Sequence, residues 1–241
     1  LVLGECMENQ GRFLPAIEAA VKDLAAEKSW TYPAHDPKLE SFNGTRRIVE
    51  LNTVAHALLF TGADRMLGDR LSAQTRAIIK QELARRVFEP YRACLQTGDR
   101  TGFEWMTWQN NWNAVCNAGI ILSALAMVDS AEDRALFLHG TELNLHYFLD
   151  GVPDDGYCTE GIGYWGYGFG NYVLLASGVK IATRGRIDWL NNPKVALIGR
   201  FGRRMNLIGN LYPAYADCSP SYDGSARLDA IGAMLRERYR P

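Results

Sequence analysis

Apolar residues recur at three- and four-residue spacing along most of this 241-residue chain, and no stretch alternates apolar with polar long enough to read as a strand. Phe13, Leu14, Ile17, Ala20, Val21 and Leu24 mark one helix face within residues 12–28. The same period returns over residues 47–67, 72–91, 112–128 and 132–149, with Gly68, Pro90 and Gly151 as stops. Residues 30–44 break it with two prolines and an Asn-Gly pair, a loop signature. A glycine-containing helix is predicted from about Gly161, and two more around Val195 to Gly209 and Asp223 to Tyr239. The predicted fold class is therefore all-α.

Amphipathic helices of this length pair as antiparallel hairpins, and hairpins repeated around an axis make an open solenoid or a closed toroid. No fixed-length repeat chooses between them. The loops do, because aromatic and amide residues gather on the long connections, where a toroid builds a cleft. The expectation is one incomplete (α/α) toroid domain spanning residues 1–241.

Lysine and arginine number 26 against 27 acidic residues, a net charge of −1, so no global field favours nucleic acid or a membrane surface as partner. A polyanion would have to be met by local charge. No run of about 18 apolar residues is present to span a bilayer. Cys6, Cys94, Cys116, Cys158 and Cys218 form no CxxC or CxxH cluster, so no metal site is expected, and their odd number argues against a fully paired disulfide framework. The chain opens on Leu1 without a basic and apolar leader, as a trimmed chain would.

Two segments carry candidate chemistry. In residues 103–119, FEWMTWQNNWNAVCNAG, Trp105, Trp108 and Trp112 interleave with Gln109, Asn110, Asn111 and Asn113 ahead of an apolar helix. Indole faces stack on sugar rings, and carboxamides bond hydroxyls and carboxylates. The competing reading is one asparagine capping the helix and tryptophans filling the core. In residues 154–172, DDGYCTEGIGYWGYGFGNY, Tyr164 and Tyr167 lie three apart and share a helix face, and glycines around them admit either a ligand or a packed neighbouring helix.

The remaining titratable groups divide similarly. His35 lies in a proline-bounded loop suited to lining a cleft, whereas His56 reads as a satisfied interior residue. His139 and His146, two helical turns apart, are too distant to share a metal. Glu160 and Asp217 form a possible carboxylate pair for glycoside hydrolysis, with Glu160 alternatively capping the helix that follows it or orienting the tyrosine. Arg46, Arg47, Arg203 and Arg204 could lower a tyrosine's pKa if they lay near it, and otherwise read as solvated faces. Asn43-Gly44-Thr45 is a glycosylation sequon or, more simply, a turn.

The succession PAHD-x-x-L-x-x-FNG, NNWNAVCNAG and DG-x-x-x-EG-x-x-YW-x-YG resembles the helical domain of heparinase II/III-like polysaccharide lyases, over about residues 30–176. That resemblance implies an incomplete (α/α) toroid, normally followed by a β-sandwich domain missing from this chain. It implies β-elimination on an anionic, uronic-acid-containing polysaccharide in a periplasmic or secreted setting, with no cofactor. By position, Asn110 matches the carboxylate-neutralising amide and Tyr164 the proton-transferring tyrosine, with Tyr167 second. Asn111 stands where a histidine commonly lies, which leaves proton removal to the tyrosine or to a histidine elsewhere, such as His35. Asn111, Trp108, Trp112, Asn113, Glu160 and Trp165 are the expected substrate contacts. The alternatives are a non-catalytic acidic-glycan-binding domain and a toroidal glycoside hydrolase.

Overall fold

The computed structural model of the chain describes residues 1–221 and 225–238. Its regular structure is helical: α1 (Val2–Glu8), α2 (Leu14–Ala26), α3 (Leu51–Leu67), α4 (Ala73–Leu83), α5 (Glu89–Thr97), α6 (Asn111–Met127), α7 (Ala131–Glu142), α8 (His146–Asp150), α9 (Gly161–Ala182), α10 (Pro193–Arg204) and α11 (Ser225–Arg238). Among the described residues no strand forms, and pairing is confined to isolated bridges of Leu211 with Ile208 and Ser221. Among the described residues no helix is long and apolar enough to cross a membrane. No disulfide joins the five cysteines. The sequence limits Asp223 and Tyr239 lie outside the described residues.

The chain divides into two compact units, Leu1–Glu104 with Gly119–Gly140, and Trp105–Ala118 with Thr141–Pro241. In the first unit α4 packs against α2 and α3, and α1 against α3. Ile17, Val21, Phe60, Ile79, Leu83, Val87, Tyr91 and Phe137 are buried there. Glu5 is fully buried and accepts the Gly11 and Phe13 amides at 2.7 and 3.0 Å, together with the Arg70 guanidinium. Those bonds hold α1, which the sequence pattern does not reveal, against the rest of the unit.

Helix α3 starts at Leu51 rather than Arg47 because Glu50 caps it, accepting the Asn52 and Thr53 amides at 3.0 and 3.1 Å. It ends at Gly68 as the sequence indicates. Pro90, by contrast, does not stop the next helix. The turn Ala84–Phe88 widens into a π-helix, and α5 resumes with the proline in its first turn and runs on to Thr97. Widening at that point relieves the clash between a proline ring and the carbonyl four residues back, here that of Arg86. Arg86 is itself buried, bonded to Glu82 at 2.7 Å and stacked over Trp30.

In the second unit α9 packs against α10 and α11. Ile162, Trp165, Phe169, Tyr172, Val173, Ala176 and Val179 form its buried stripe at helical spacing. The helix expected over residues 132–149 is broken by a turn at residues 143–145. A buried amide network converges on that turn. Asn144 receives the Asn117 amide on Oδ1 at 2.7 Å and the Asn113 amide on its backbone carbonyl at 3.1 Å, and Thr141 donates to Asn117 at 3.1 Å. The same carbonyl also accepts the Tyr147 amide at 3.1 Å.

Candidate functional site

One cavity of about 130 Å³ lies within the second unit. Gln109, Asn110, Gly151, Tyr157 and Thr159 form its exposed rim, while Phe148, Trp165, Phe169 and Ile198 are buried in its wall. Asn111, Cys158, Glu160 and Tyr164 stand between rim and floor. Pockets that enclose a drug-sized ligand run to about 300–1,000 Å³, so this one seats a single small group or part of one sugar residue.

The amide wall is built at the start of α6. Asn110 caps the helix, its Oδ1 accepting the Trp112 amide at 3.1 Å, so the oxygen of the carboxamide is committed and its NH2 group is the end left to meet a ligand. Asn111 is 6% exposed and donates through Nδ2 to Glu160 Oε1 and Oε2 at 3.3 and 3.1 Å. A flipped amide would set oxygen against carboxylate, so this pairing fixes which way the group points. The consequence is that Asn111 Oδ1 is buried with no hydrogen-bond partner among the described residues. An orphaned acceptor beside a cavity costs roughly 1–3 kcal/mol and calls for a donor from a ligand or a water.

The opposite wall comes from the approach to α9. Glu160 immediately precedes the helix but makes no side-chain cap bond, so the capping role open to it in the sequence is not the one it takes. Its carboxylate faces Asn111 instead. Tyr164 follows one helical turn later, its ring 6.5 Å from that of Tyr167 in a T-shaped contact, as their three-residue spacing implies. Tyr164 lines the cavity; Tyr167 does not. Trp165 lines it while donating Nε1–H to the Ile198 carbonyl at 2.9 Å, which fixes its ring as floor.

Two glycines set the closeness of these walls. A Cβ on Gly168 would stand 2.9 Å from the Asn111 Cβ, and one on Gly151 would stand 2.0 Å from the Gln109 carbonyl oxygen. Both positions serve packing of the protein against itself, and for Gly168 that is the packing reading of the glycine-rich segment rather than the ligand one.

Around the cavity, burial pushes the Cys158 thiol pKa up, and burial with the neighbouring Tyr157 hydroxyl pushes that of Tyr215 up. Tyr215 donates to the Cys158 carbonyl at 2.8 Å and stacks on Tyr157, bracing the rim from behind.

Other expected site residues lie elsewhere. Asn113 is fully buried, its amide on the carbonyls of Met106 and Asn144 at 3.0 and 3.1 Å, so it frames the site and cannot reach substrate. Trp108 is 40% exposed and Trp112 half-buried, their rings 5.1 Å apart, on the segment that carries the amide wall but outside the cavity lining. His35 belongs to the first unit, where its Nδ1 meets Glu50 Oε2 at 2.6 Å and so braces the α3 cap. Asp217 is exposed and does not line the cavity, which leaves Glu160 as the single carboxylate among the described lining residues. Arg46 and Arg47 lie in the first unit, and Arg203 and Arg204 are exposed on α10 away from this lining. No cluster of three metal-ligating side chains occurs among the described residues.

Phe148, Gly151 and Ile198 complete the cavity without any sequence signal, since each reads as ordinary core or turn. The Asn113–Asn117 pair was detectable, because amides four apart on an apolar helix imply a buried polar partner. No protein-family model matches this chain, and no curated protein matches it in sequence.

Proposed function

We propose that the second unit binds a uronic-acid-containing polysaccharide and cleaves it by β-elimination, as the resemblance to heparinase II/III-like lyases implies. The observation that carries the reading is convergence: Asn110, Asn111, Glu160 and Tyr164, from segments about fifty positions apart, line one cavity. Elimination begins with loss of the proton next to the substrate carboxylate, which throws negative charge onto that group. A donor placed there binds the developing charge more tightly than the ground state, and the Asn110 NH2 is the donor so placed. Tyr164 supplies the hydroxyl that protonates the leaving oxygen. The Trp108–Trp112 pair offers a stacking face to a neighbouring ring.

In this reading the chain is the incomplete (α/α) toroid of a larger secreted or periplasmic lyase whose β-sandwich completes the cleft, and no cofactor takes part. The single lining carboxylate disfavours the hydrolase alternative, whose chemistry uses two. The amide at position 111, in place of a titrating imidazole, favours as second reading a glycan-binding domain without turnover.

Incubation with heparin, chondroitin sulfate and alginate tests the proposal. The expected result is absorbance of an unsaturated uronate from one of them, lost in Tyr164→Phe. Saturable binding without that chromophore would select the second reading, and new reducing ends without it would select the hydrolase.

A further inference from the structure

We infer that Glu160 is the proton acceptor of the elimination and that Asn111 is the residue that positions it. The inference rests on the lyase reading and goes beyond it, because the resemblance assigns the proton to a tyrosine or a histidine and gives Glu160 only a substrate contact. The amide of Asn111 can neither take nor return a proton at neutral pH. What it does is hold a group that can. Its Nδ2 reaches both Glu160 oxygens, at 3.3 and 3.1 Å.

Three observations set Glu160 apart from an ordinary surface or capping glutamate. It is the only formally charged side chain among the described residues that line the cavity. It sits directly before α9 yet makes no cap bond, whereas Glu50 in the equivalent place before α3 accepts two backbone amides. An ionised carboxylate has about four lone-pair sites, and one shared N–H group leaves some of them for the cavity. Tyr164, one turn further along the same helix, lines the same space.

The step then divides between two groups. The Glu160 carboxylate takes the proton from C5 of the uronate, and the C5–H electron pair becomes the C4–C5 double bond. The bond from C4 to the glycosidic oxygen breaks, and the Tyr164 hydroxyl delivers its proton to that oxygen. Glu160 afterwards releases its proton to solvent and the Tyr164 phenolate regains one, so no water is added and nothing is oxidised or reduced.

The same charge that removes the proton opposes the uronate carboxylate in the ground state, which produces a split that a framework role would not. With the polyuronate that the intact chain cleaves, Glu160→Gln should bind at least as tightly while kcat falls by roughly 10²–10⁴-fold. In deuterated water, C5 hydrogen exchange into recovered substrate should vanish in Glu160→Gln and persist in Tyr164→Phe. Glu160→Ala should regain part of its rate with added formate, a check that does not depend on the glutamine variant. Exchange that survives in Glu160→Gln and disappears in Tyr164→Phe would make the tyrosine the base and overturn the inference while leaving the lyase reading intact. Absence of unsaturated product from the wild-type chain on every polyuronate would overturn both.

Discussion

Asn111 and Glu160, 49 positions apart in the chain, meet through one amide nitrogen and two carboxylate oxygens at 3.1 and 3.3 Å. The pair joins the start of α6 to the approach of α9, and it is both a structural tie and the inner wall of the cavity. Asn111→Asp would replace that tie with two facing carboxylates in a half-buried site. Unit charges about 4 Å apart repel by roughly 4 kcal/mol at an effective dielectric constant near 20, before relaxation. Urea denaturation at neutral pH should therefore show a loss of about 2–4 kcal/mol, shrinking on acidification as a shared proton relieves the repulsion. A variant as stable as wild type at neutral pH would mean that the two side chains do not face each other.

The glycines of α9 offer a graded test of how closely its first turns approach α6. A Cβ at Gly168 would stand 2.9 Å from the Asn111 Cβ and 3.3 Å from its Cα and from the Phe148 ring, whereas one at Gly163 would meet nothing within 4 Å. Overpacking of this kind costs typically about 1–3 kcal/mol, while an alanine in an open helical position gains up to about 1 kcal/mol over glycine. Thermal denaturation should thus show Gly168→Ala less stable, and Gly163→Ala equal to wild type or better. Glycan affinity should fall only in the first, because the intruding methyl displaces Asn111. Equal behaviour of the two variants would contradict the packing.

Trp108 and Trp112 are expected to act on affinity rather than on folding. Their rings touch each other at 5.1 Å, and Trp108 keeps 40% of its surface exposed. An aromatic face on a sugar ring contributes about 1 kcal/mol, so Trp108→Ala should weaken glycan binding roughly five-fold in a titration, with thermal stability nearly unchanged. An unchanged affinity would remove Trp108 from the binding surface.

Most helices were legible because their apolar period matches the buried stripe, as Ile162, Trp165, Phe169 and Tyr172 illustrate. The chemistry-bearing residues Asn110, Asn111, Glu160 and Tyr164 were legible as a pattern of types, and the cavity does collect them. What failed to show was anything decided by distant contacts. The buried bonds that Asn113 and Asn117 make to Asn144 come from about thirty positions away in the chain. The chain passes between the two units at Glu104 and again inside α6 and near the end of α7, and at the last two an unbroken helical period conceals the boundary. The placement of Asn113 in the interior, against its grouping with the other amides, follows from three carbonyls that its own sequence neighbourhood cannot announce.

Acid and alkali should loosen different segments. Glu5, Glu18, Asp99 and Asp133 all belong to the first unit, and each carboxyl pKa lies below its ordinary value. The leading causes are the Phe13 amide for Glu5, the Ser72 amide for Glu18, the Thr101 hydroxyl for Asp99 and the Arg92 guanidinium for Asp133. A carboxyl lowered on folding contributes stability that is present above its unfolded pKa of about 4 and is lost as pH falls through the folded value. Burial raises the pKa of Cys158 and Tyr215 in the second unit and pushes that of Cys94 in the first up to about 11. Their contribution is present below unfolded values of about 8.5 and 10 and disappears as pH rises through the folded ones. After incubation near pH 3 or pH 10, a brief deuterium pulse at one common pH should therefore label residues 14–26 and 73–83 preferentially from acid, and the segments around residues 89–97 and 157–165 preferentially from alkali. The reverse pattern, or uniform labelling in both arms, would show that these hydrogen bonds and this burial do not set the acid and alkaline limits of the fold.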